Sequence, residues 1–168
     1  MVMDGRDQMH LKSGNGSSFE WSLFHSRRKT VSEKNKQIYQ ELYDKFWTGG
    51  DADVLADYMD DGYVDHIFGH KSVEDWVSAM APLRTGMSDL TYNVDLMIAE
   101  GDLVSSLWTA TATHSGEFMG MPPTGKRITF TGNCTARFRD GKLIEEWSHP
   151  DIFELMKQVG AIPETATA

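Results

Sequence analysis

Three side chains of this sequence, His66, His114 and Asp151, are of types that move protons near neutral pH. A histidine has an unperturbed pKa of about 6.5, so it exchanges protons readily at cytoplasmic pH. An aspartate can orient an imidazole or take a substrate proton itself. We therefore predict catalytic roles for all three. Each also has a structural alternative: His66 as a hydrogen-bonded core histidine, His114 as a tie for its loop, and Asp151 as the N-cap of a helix.

His114 opens the most informative segment of the chain. A β-type run over 103–113 ends beside it, and a second β-type run begins at Arg127. The connection reads THSGEFMGMPPTGK from Thr113 to Lys126. Glycine and proline at that density produce a sharp reversal. The sequence therefore places His114 at the rim where one strand ends and the next begins.

This connection resembles the THxGxFxGxPPTGK signature of the SnoaL-like polyketide cyclases, also called ester cyclases, of the NTF2-like superfamily. The similarity extends over roughly residues 34–163 and includes Tyr63-Val64-Asp65-His66, the turn Asp140-Gly141-Lys142, and Trp147. The resemblance implies an α+β cone, in which a curved antiparallel sheet wraps around N-terminal helices and encloses a pocket. It also implies an intramolecular aldol ring closure, driven by an aspartate on the last strand and a histidine on the neighbouring strand.

Both of those family positions differ here. Laying the loop motif and the DGK turn on the family pattern without gaps puts the aspartate at Ser148 and the histidine at Cys134. A serine hydroxyl does not transfer protons near neutral pH without a neighbouring base. Glu146 shares strand parity with Ser148, so it faces the same side if the strand is regular. A carboxyl buried there would have a raised pKa and would suit acid/base work; the alternative is a solvated glutamate at a strand edge.

Aromatic residues and methionines are numerous enough to line an apolar pocket. We predict that substrate contacts come from Phe46, Tyr63, Trp108, Met119, Phe130, Cys134, Glu146 and Ser148. Met119 lies on the loop, where an apolar side chain could close the pocket mouth or pack against a second subunit. No metal or cofactor is expected, because the familiar metal and nucleotide motifs are absent. Gly69 between His66 and His70 also argues against a helical metal pair.

The hydrophobic period changes from about 3.6 to 2 along the chain. We predict helices from Ser32 to about Trp47, after Asp51 and after Ser72, a short strand over Tyr63–Phe68, and a final helix over Ile152–Val159. We predict four further strands over Leu90–Ile98, Leu103–Thr113, Arg127–Phe138 and Leu143–Trp147. This order predicts an α+β domain over residues 32–168. Residues 1–31 show no periodicity and are expected to form a flexible extension, or an arm that packs on a neighbouring subunit.

Composition excludes several classes of partner. A net charge of -9 and a pI of about 5.0 argue against nucleic acid and anionic membranes. The single cysteine, Cys134, excludes an internal disulfide. The first residues lack the layout of a secretory signal, so a cytoplasmic location is expected. The resemblance implies a homodimer formed through the outer face of the sheet, and the strand over residues 127–138 is expected to contribute apolar residues to that face.

These observations favour a protein that binds a hydrophobic, carbonyl-rich small molecule and cyclises or isomerises it by acid/base catalysis. Two alternatives stay open. The first is a non-catalytic binding or association module that kept the pocket and lost the family acid. The second is an epoxide-hydrolase-like enzyme, which needs a buried Asp-Arg-Asp set to activate water; only Arg137 and Asp151 offer partial counterparts.

Overall fold

A computed structural model describes residues 17–163 of the chain. The helices are α1 (Ser17–Leu42), continued by a π-helical segment (Tyr43–Thr48), α2 (Leu55–Tyr58), α3 (Val73–Gly86) and α4 (Ile152–Val159). The strands are β1 (Met59–Asp65), β2 (Met87–Glu100), β3 (Leu103–His114), β4 (Arg127–Arg139) and β5 (Lys142–Pro150). The predicted α+β order is therefore confirmed.

The strands form one five-stranded sheet in the order β1-β5-β4-β3-β2. The last four strands in sequence follow one another as antiparallel neighbours. β1 pairs parallel with β5 and closes the other edge, with Asp65 beside Glu146. Because β1 and β5 are far apart in sequence, this pairing joins the two halves of the chain.

The sheet is curved, and one of its faces carries the core. Along β3, buried residues alternate with more exposed ones from Val104 to His114, as a half-buried strand requires. The helices pack against the buried face. Within residues 17–163, no helix combines the length and apolar character that a membrane span needs.

Helix ends follow their capping residues. The Ser72 hydroxyl accepts a hydrogen bond from the Asp75 backbone N–H, and Asp151 accepts one from the Glu154 N–H, so the predicted caps at these two residues are confirmed. The helix predicted after Asp51 begins only at Leu55, with Val54 at its N-cap and no side-chain cap. α4 ends at Gly160, which has a φ of 88° that suits glycine.

Two predicted element boundaries are wrong. α1 begins at Ser17 rather than at Ser32, because no glycine or proline interrupts the chain between them. The Ser32 hydroxyl instead donates to the Gly101 carbonyl. β1 covers Met59–Asp65 rather than Tyr63–Phe68, since its pairing with β5 overrides the local propensity of Asp60 and Asp61. Residues 1–16 lie outside the described part, so the boundary at residue 31 stays a prediction.

Gly132 provides the space that the largest core side chain of the sheet requires. It lies directly opposite Trp108 in the β3–β4 pairing, and a Cβ at this position would meet the indole ring at less than 3 Å. Trp108 has little room to retreat, because its ring packs on Tyr92 and Phe130.

We expect Gly132→Ala to lower the free energy of unfolding by about 1–3 kcal/mol, the usual cost of overpacking a core. Denaturant unfolding followed by tryptophan fluorescence measures this loss. Gly62→Ala is the matched control, because Gly62 is an exposed strand glycine whose added Cβ would meet only the Asp60 carboxylate at 3.3 Å. Equal stability of the two variants would contradict the role assigned to Gly132.

Candidate active site

A cavity of about 340 Å³ lies between the buried face of the sheet and the helices. This volume suits a small organic ligand. Its wall is largely apolar, and the aromatic and aliphatic residues in it include Tyr43, Trp47, Trp76, Met80, Leu83, Tyr92, Trp108, Phe118 and Phe130. The partly exposed lining residues Phe68, Met119 and Ile152 mark its mouth.

Polar side chains meet at one side of the cavity, where β1, β5 and β4 are neighbours. The lining residues there are Asp65, His70, Cys134, Glu146 and Ser148. Cys134 and Ser148 are direct partners across β4 and β5, so the two positions where the family pattern has a histidine and an aspartate face each other. Glu146 precedes Ser148 by two residues and therefore shares its face of the strand.

The Glu146 carboxyl is buried and accepts hydrogen bonds on both oxygens. Tyr39 donates its hydroxyl to Oε1 at 2.7 Å, and Tyr63 donates to Oε2 at 2.9 Å. The Cys134 thiol donates to Oε1 as well. These donors come from α1, β1 and β4, so the carboxyl of β5 is held by side chains from three other elements.

Burial raises the pKa of Glu146 above its ordinary value of 4.5, and the Asp65 carboxylate raises it further. The hydrogen bonds from Cys134, Tyr39 and Tyr63 lower it, but burial outweighs them. Burial also raises the pKa of the Cys134 thiol, which therefore stays a neutral donor. Glu146 thus keeps its proton to higher pH than an exposed glutamate does, and the same donors stabilise the carboxylate once it forms.

Asp65 and His70 form a second polar group beside the Glu146 network, and the contacts between them close the loop that follows β1. Asp65 Oδ2 lies 2.9 Å from His70 Nδ1, and Asp65 Oδ1 accepts the Ile67 backbone N–H at 2.8 Å. The Asp65 N–H donates to the His70 carbonyl at 2.9 Å. Gly69, with a φ of 76°, lets the chain reverse between the two partners.

The histidines predicted to be catalytic lie away from the cavity lining. The His66 ring stacks on Trp147 with centroids 4.6 Å apart, and its Nε2 lies 3.9 Å from Glu145 Oε1. His114 is fully buried and fixes its loop, since its Nδ1 lies 3.0 Å from Thr124 Oγ1 and its carbonyl accepts the Gly125 N–H.

Asp151 acts as the cap of α4. Since neither histidine nor Asp151 lines the cavity, the geometry does not bring the three predicted catalytic residues together, and their roles stay predictions without geometric support.

Most of the predicted substrate contacts do line the cavity. The lining members are Trp108, Met119, Phe130, Cys134, Glu146 and Ser148. Phe46 and Tyr63 lie behind the wall: the Phe46 ring packs 5.0 Å from Trp76, and Tyr63 supports Glu146. Met119 is at the tip of a tight turn with a φ of 52°, followed by Gly120 at 77°, as in a type I′ turn.

Asp65 and His70, together with the tyrosines 39, 43 and 92, are functional candidates that were not predicted from the sequence. One signal was available. A strand alternates its side chains, so Tyr63 and His66 point to opposite faces, whereas Tyr63 and Asp65 share one. A pocket contact by Tyr63 would therefore have favoured Asp65 over His66. Tyr39 had no local signal, because its contact with Glu146 spans 107 residues of sequence.

The Asp-Arg-Asp set of an epoxide hydrolase is not assembled among the described residues. Arg137 makes its ion pairs with Glu145 and Asp102, and its guanidinium lies over the Trp147 ring. It does not line the cavity. The hydrolase alternative therefore lacks its charged centre.

Comparison with known proteins agrees with this architecture. The family model described as SnoaL-like polyketide cyclase matches residues 37–159. Aklanonic acid methyl ester cyclase DauD of Streptomyces sp. (strain C5) is 24% identical over 128 residues, which cover 73% of this chain and 80% of that protein.

Solved structures are similar over most of the chain. AclR of Streptomyces galilaeus, a candidate hydroxylase, matches with a TM-score of 0.74 and 29% identity, covering 81% of this chain and 87% of that one. IdmH of Streptomyces antibioticus, a candidate polyketide cyclase, matches with a TM-score of 0.67 and 28% identity, covering 75% and 98% of the two chains. The predicted fold class is thereby confirmed.

The buried Glu146 carboxyl makes the stability of this protein depend on pH. A raised folded-state pKa means that its contribution to stability is complete below about 4.5 and is lost as pH rises through the folded-state pKa. Glu146→Gln is neutral at every pH. We therefore expect the free energy of unfolding of the wild type, relative to this variant, to fall as pH rises above about 4.5.

Denaturant unfolding at a series of pH values measures this difference. Glu145→Gln is the matched control, because Glu145 is the adjacent residue on the opposite face and pairs with Arg137. The burial argument would be contradicted if the free energy of unfolding of the wild type, relative to that of Glu146→Gln, stayed constant or rose with pH.

Proposed function

Because the chain belongs to the SnoaL-like polyketide cyclase family, we propose that it binds a hydrophobic, carbonyl-rich small molecule in the cavity and cyclises or isomerises it. Acid/base proton transfer without a cofactor performs the reaction. One observation carries this proposal: a protonatable carboxyl, Glu146, is buried beside Ser148 at the polar side of a largely apolar cavity. A carboxyl in such surroundings is suited to acid/base work.

Glu146 offers a substitute for the acid that the family pattern has at position 148. Two residues along a strand correspond to about 6.6 Å on the same face. The glutamate side chain is one methylene longer than aspartate, and the network of Tyr39, Tyr63 and Cys134 fixes it. The Ser148 hydroxyl, which lines the cavity beside Cys134, would donate a hydrogen bond to a substrate carbonyl.

The reaction proposed is an intramolecular aldol closure. A C–H bond beside one carbonyl breaks, its electron pair forms a C–C bond to a ketone carbon, and the ketone oxygen takes a proton to become a hydroxyl. Glu146 donates that proton, which its raised pKa keeps available. Substrate and product are isomers, so no co-reactant is consumed.

A non-catalytic binding module is the competing function. Its support is the replacement of the family aspartate and histidine by Ser148 and Cys134. Both functions use the same apolar wall, so a measurement of ligand binding does not distinguish them. Turnover that depends on Glu146 would distinguish the enzyme from the binding module.

With aklanonic acid methyl ester as the trial substrate, we expect Glu146→Gln to lower kcat by about 10²-fold or more, the usual scale of a lost general acid. KM should change little, because the amide keeps the shape of the side chain. Chromatography with mass detection follows a product of unchanged mass. A product that had gained an oxygen atom would contradict ring closure.

Glu145→Gln, on the opposite face, is the control and should keep wild-type kcat. Ser148→Asp tests the competing function. If the wild type binds the ester without turnover and Ser148→Asp creates ring closure, the native protein is a binding module.

We also propose a homodimer formed through the outer face of the sheet. The expected apolar contribution of β4 is absent, because its outward residues, such as Thr129 and Asn133, are polar. The support comes from Leu96, Ile98 and Leu107, which are exposed at 53%, 62% and 48% on neighbouring strands. A stable pair would bury on the order of 1,200–2,000 Å² in total.

We expect light scattering to give a dimeric mass at micromolar concentration and Ile98→Asp to give a monomer, because an aspartate there would be desolvated in the interface. Val31→Asp is the control: Val31 is exposed at 49% on α1, away from the sheet face, and its replacement should leave the dimer intact. A monomeric wild type would refute the proposal.

A further inference from the structure

We propose that His70, oriented by Asp65, is the base that removes the carbon-bound proton of the substrate. This inference rests on the proposed ring closure and deepens it by assigning the second proton transfer. The base would act near the cavity mouth, and Glu146 would act as the acid in the same cavity.

The surroundings of Asp65 fix the position of the imidazole. Asp65 is only 3% exposed, and the Ile67 N–H holds its Oδ1. Its Oδ2 accepts from His70 Nδ1 at 2.9 Å, while the backbone of His70 bonds to that of Asp65. The side-chain contact thus orients the ring, and the backbone hydrogen bond fixes the position of the residue that carries it. A base held in this way needs little reorganisation when the substrate binds.

The same contact selects the tautomer of the ring. A carboxylate only accepts hydrogen bonds, so Nδ1 carries the hydrogen and the neutral ring presents its lone pair at Nε2. Within the described part of the chain, Nε2 of His70 has no hydrogen-bond partner. The nitrogen that can accept a proton is therefore left for the ligand.

Other histidines with described side chains do not meet these conditions. His66 is stacked outside on Trp147, His114 is fully enclosed, and His149 is exposed on the far side of β5. Among them, His70 is the one that lines the cavity.

These residues account for each proton and for the electron pair that move in the proposed ring closure. His70 Nε2 takes the proton from the substrate carbon, and the freed electron pair forms the C–C bond. Glu146 gives its proton to the ketone oxygen. The imidazolium is then stabilised by Asp65, and the new carboxylate is stabilised by Tyr39, Tyr63 and Cys134. Return of the proton from His70 to Glu146, directly or through water, restores the starting state.

The test separates proton abstraction from ring closure. Aklanonic acid methyl ester is incubated in D₂O, and deuterium uptake at carbon, above the buffer rate, is measured beside product formation. We expect the wild type to do both. Glu146→Gln should keep the uptake and lose ring closure, whereas His70→Gln should lose both by about 10²-fold or more.

Asp65→Asn tests the positioning role of the carboxylate. An amide at this position allows the other tautomer, so kcat should fall by up to about 10⁴-fold while KM changes little. Nitrogen-15 NMR of the ring should show the hydrogen on Nδ1 in the wild type and a shift toward Nε2 in this variant. Added imidazole should restore part of the activity of His70→Ala.

His149→Gln is the matched control, the same change at an exposed histidine, and should behave as the wild type. Deuterium uptake that survives in His70→Gln, or that is lost in His66→Gln instead, overturns the assignment of His70 while ring closure by the wild type stands. A wild-type ring with its hydrogen on Nε2 overturns it independently of any activity. A wild type that neither exchanges nor cyclises the ester overturns the proposed function and the assignment together.

Discussion

The burial of the Glu146 carboxyl at the wall of a largely apolar cavity is the constraint on which the rest of this structure depends. Moving a carboxyl from water into such surroundings costs several kcal/mol unless hydrogen bonds compensate. Tyr39, Tyr63 and Cys134 provide that compensation for Glu146 from three separate elements. The mutual positions of α1, β1, β4 and β5 are therefore set by a polar contact as well as by packing. Loss of any one donor would leave a buried polar group partly unsatisfied.

The cavity divides its polar groups between two units with different surroundings. Glu146 is enclosed by hydrogen-bond donors that favour its ionised form, whereas His70 lines the cavity and is held by Asp65. Asp65 connects the units, since it is the cross-strand neighbour of Glu146 and also the partner of His70. Its negative charge disfavours ionisation of Glu146.

The features that could be predicted from the sequence are those set by residues close to one another in the chain. The period-2 runs gave the order of strands, and the caps at Ser72 and Asp151 follow from side chains that bond their own backbone neighbours. The shared face of Glu146 and Ser148 follows from strand parity alone. The tyrosine donors and the start of β1 depend on contacts between distant segments, for which one sequence carries no pattern. His66 is of a residue type that transfers protons, but strand parity places it on the opposite face from Tyr63 and Asp65.

The parallel pairing of β1 with β5 has a consequence for how the protein is made. Its contacts link residues on either side of a long stretch of chain; the Tyr63–Glu146 bond alone spans 83 positions. Pairings of this kind close slowly, because loop entropy is lost before the contact forms. During synthesis, a nascent chain that stops short of Lys142 has Tyr39 and Tyr63 but no carboxyl for them to hold. The hydrogen-bonded cluster around Glu146 therefore forms only when the last strand has left the ribosome and has inserted between β1 and β4.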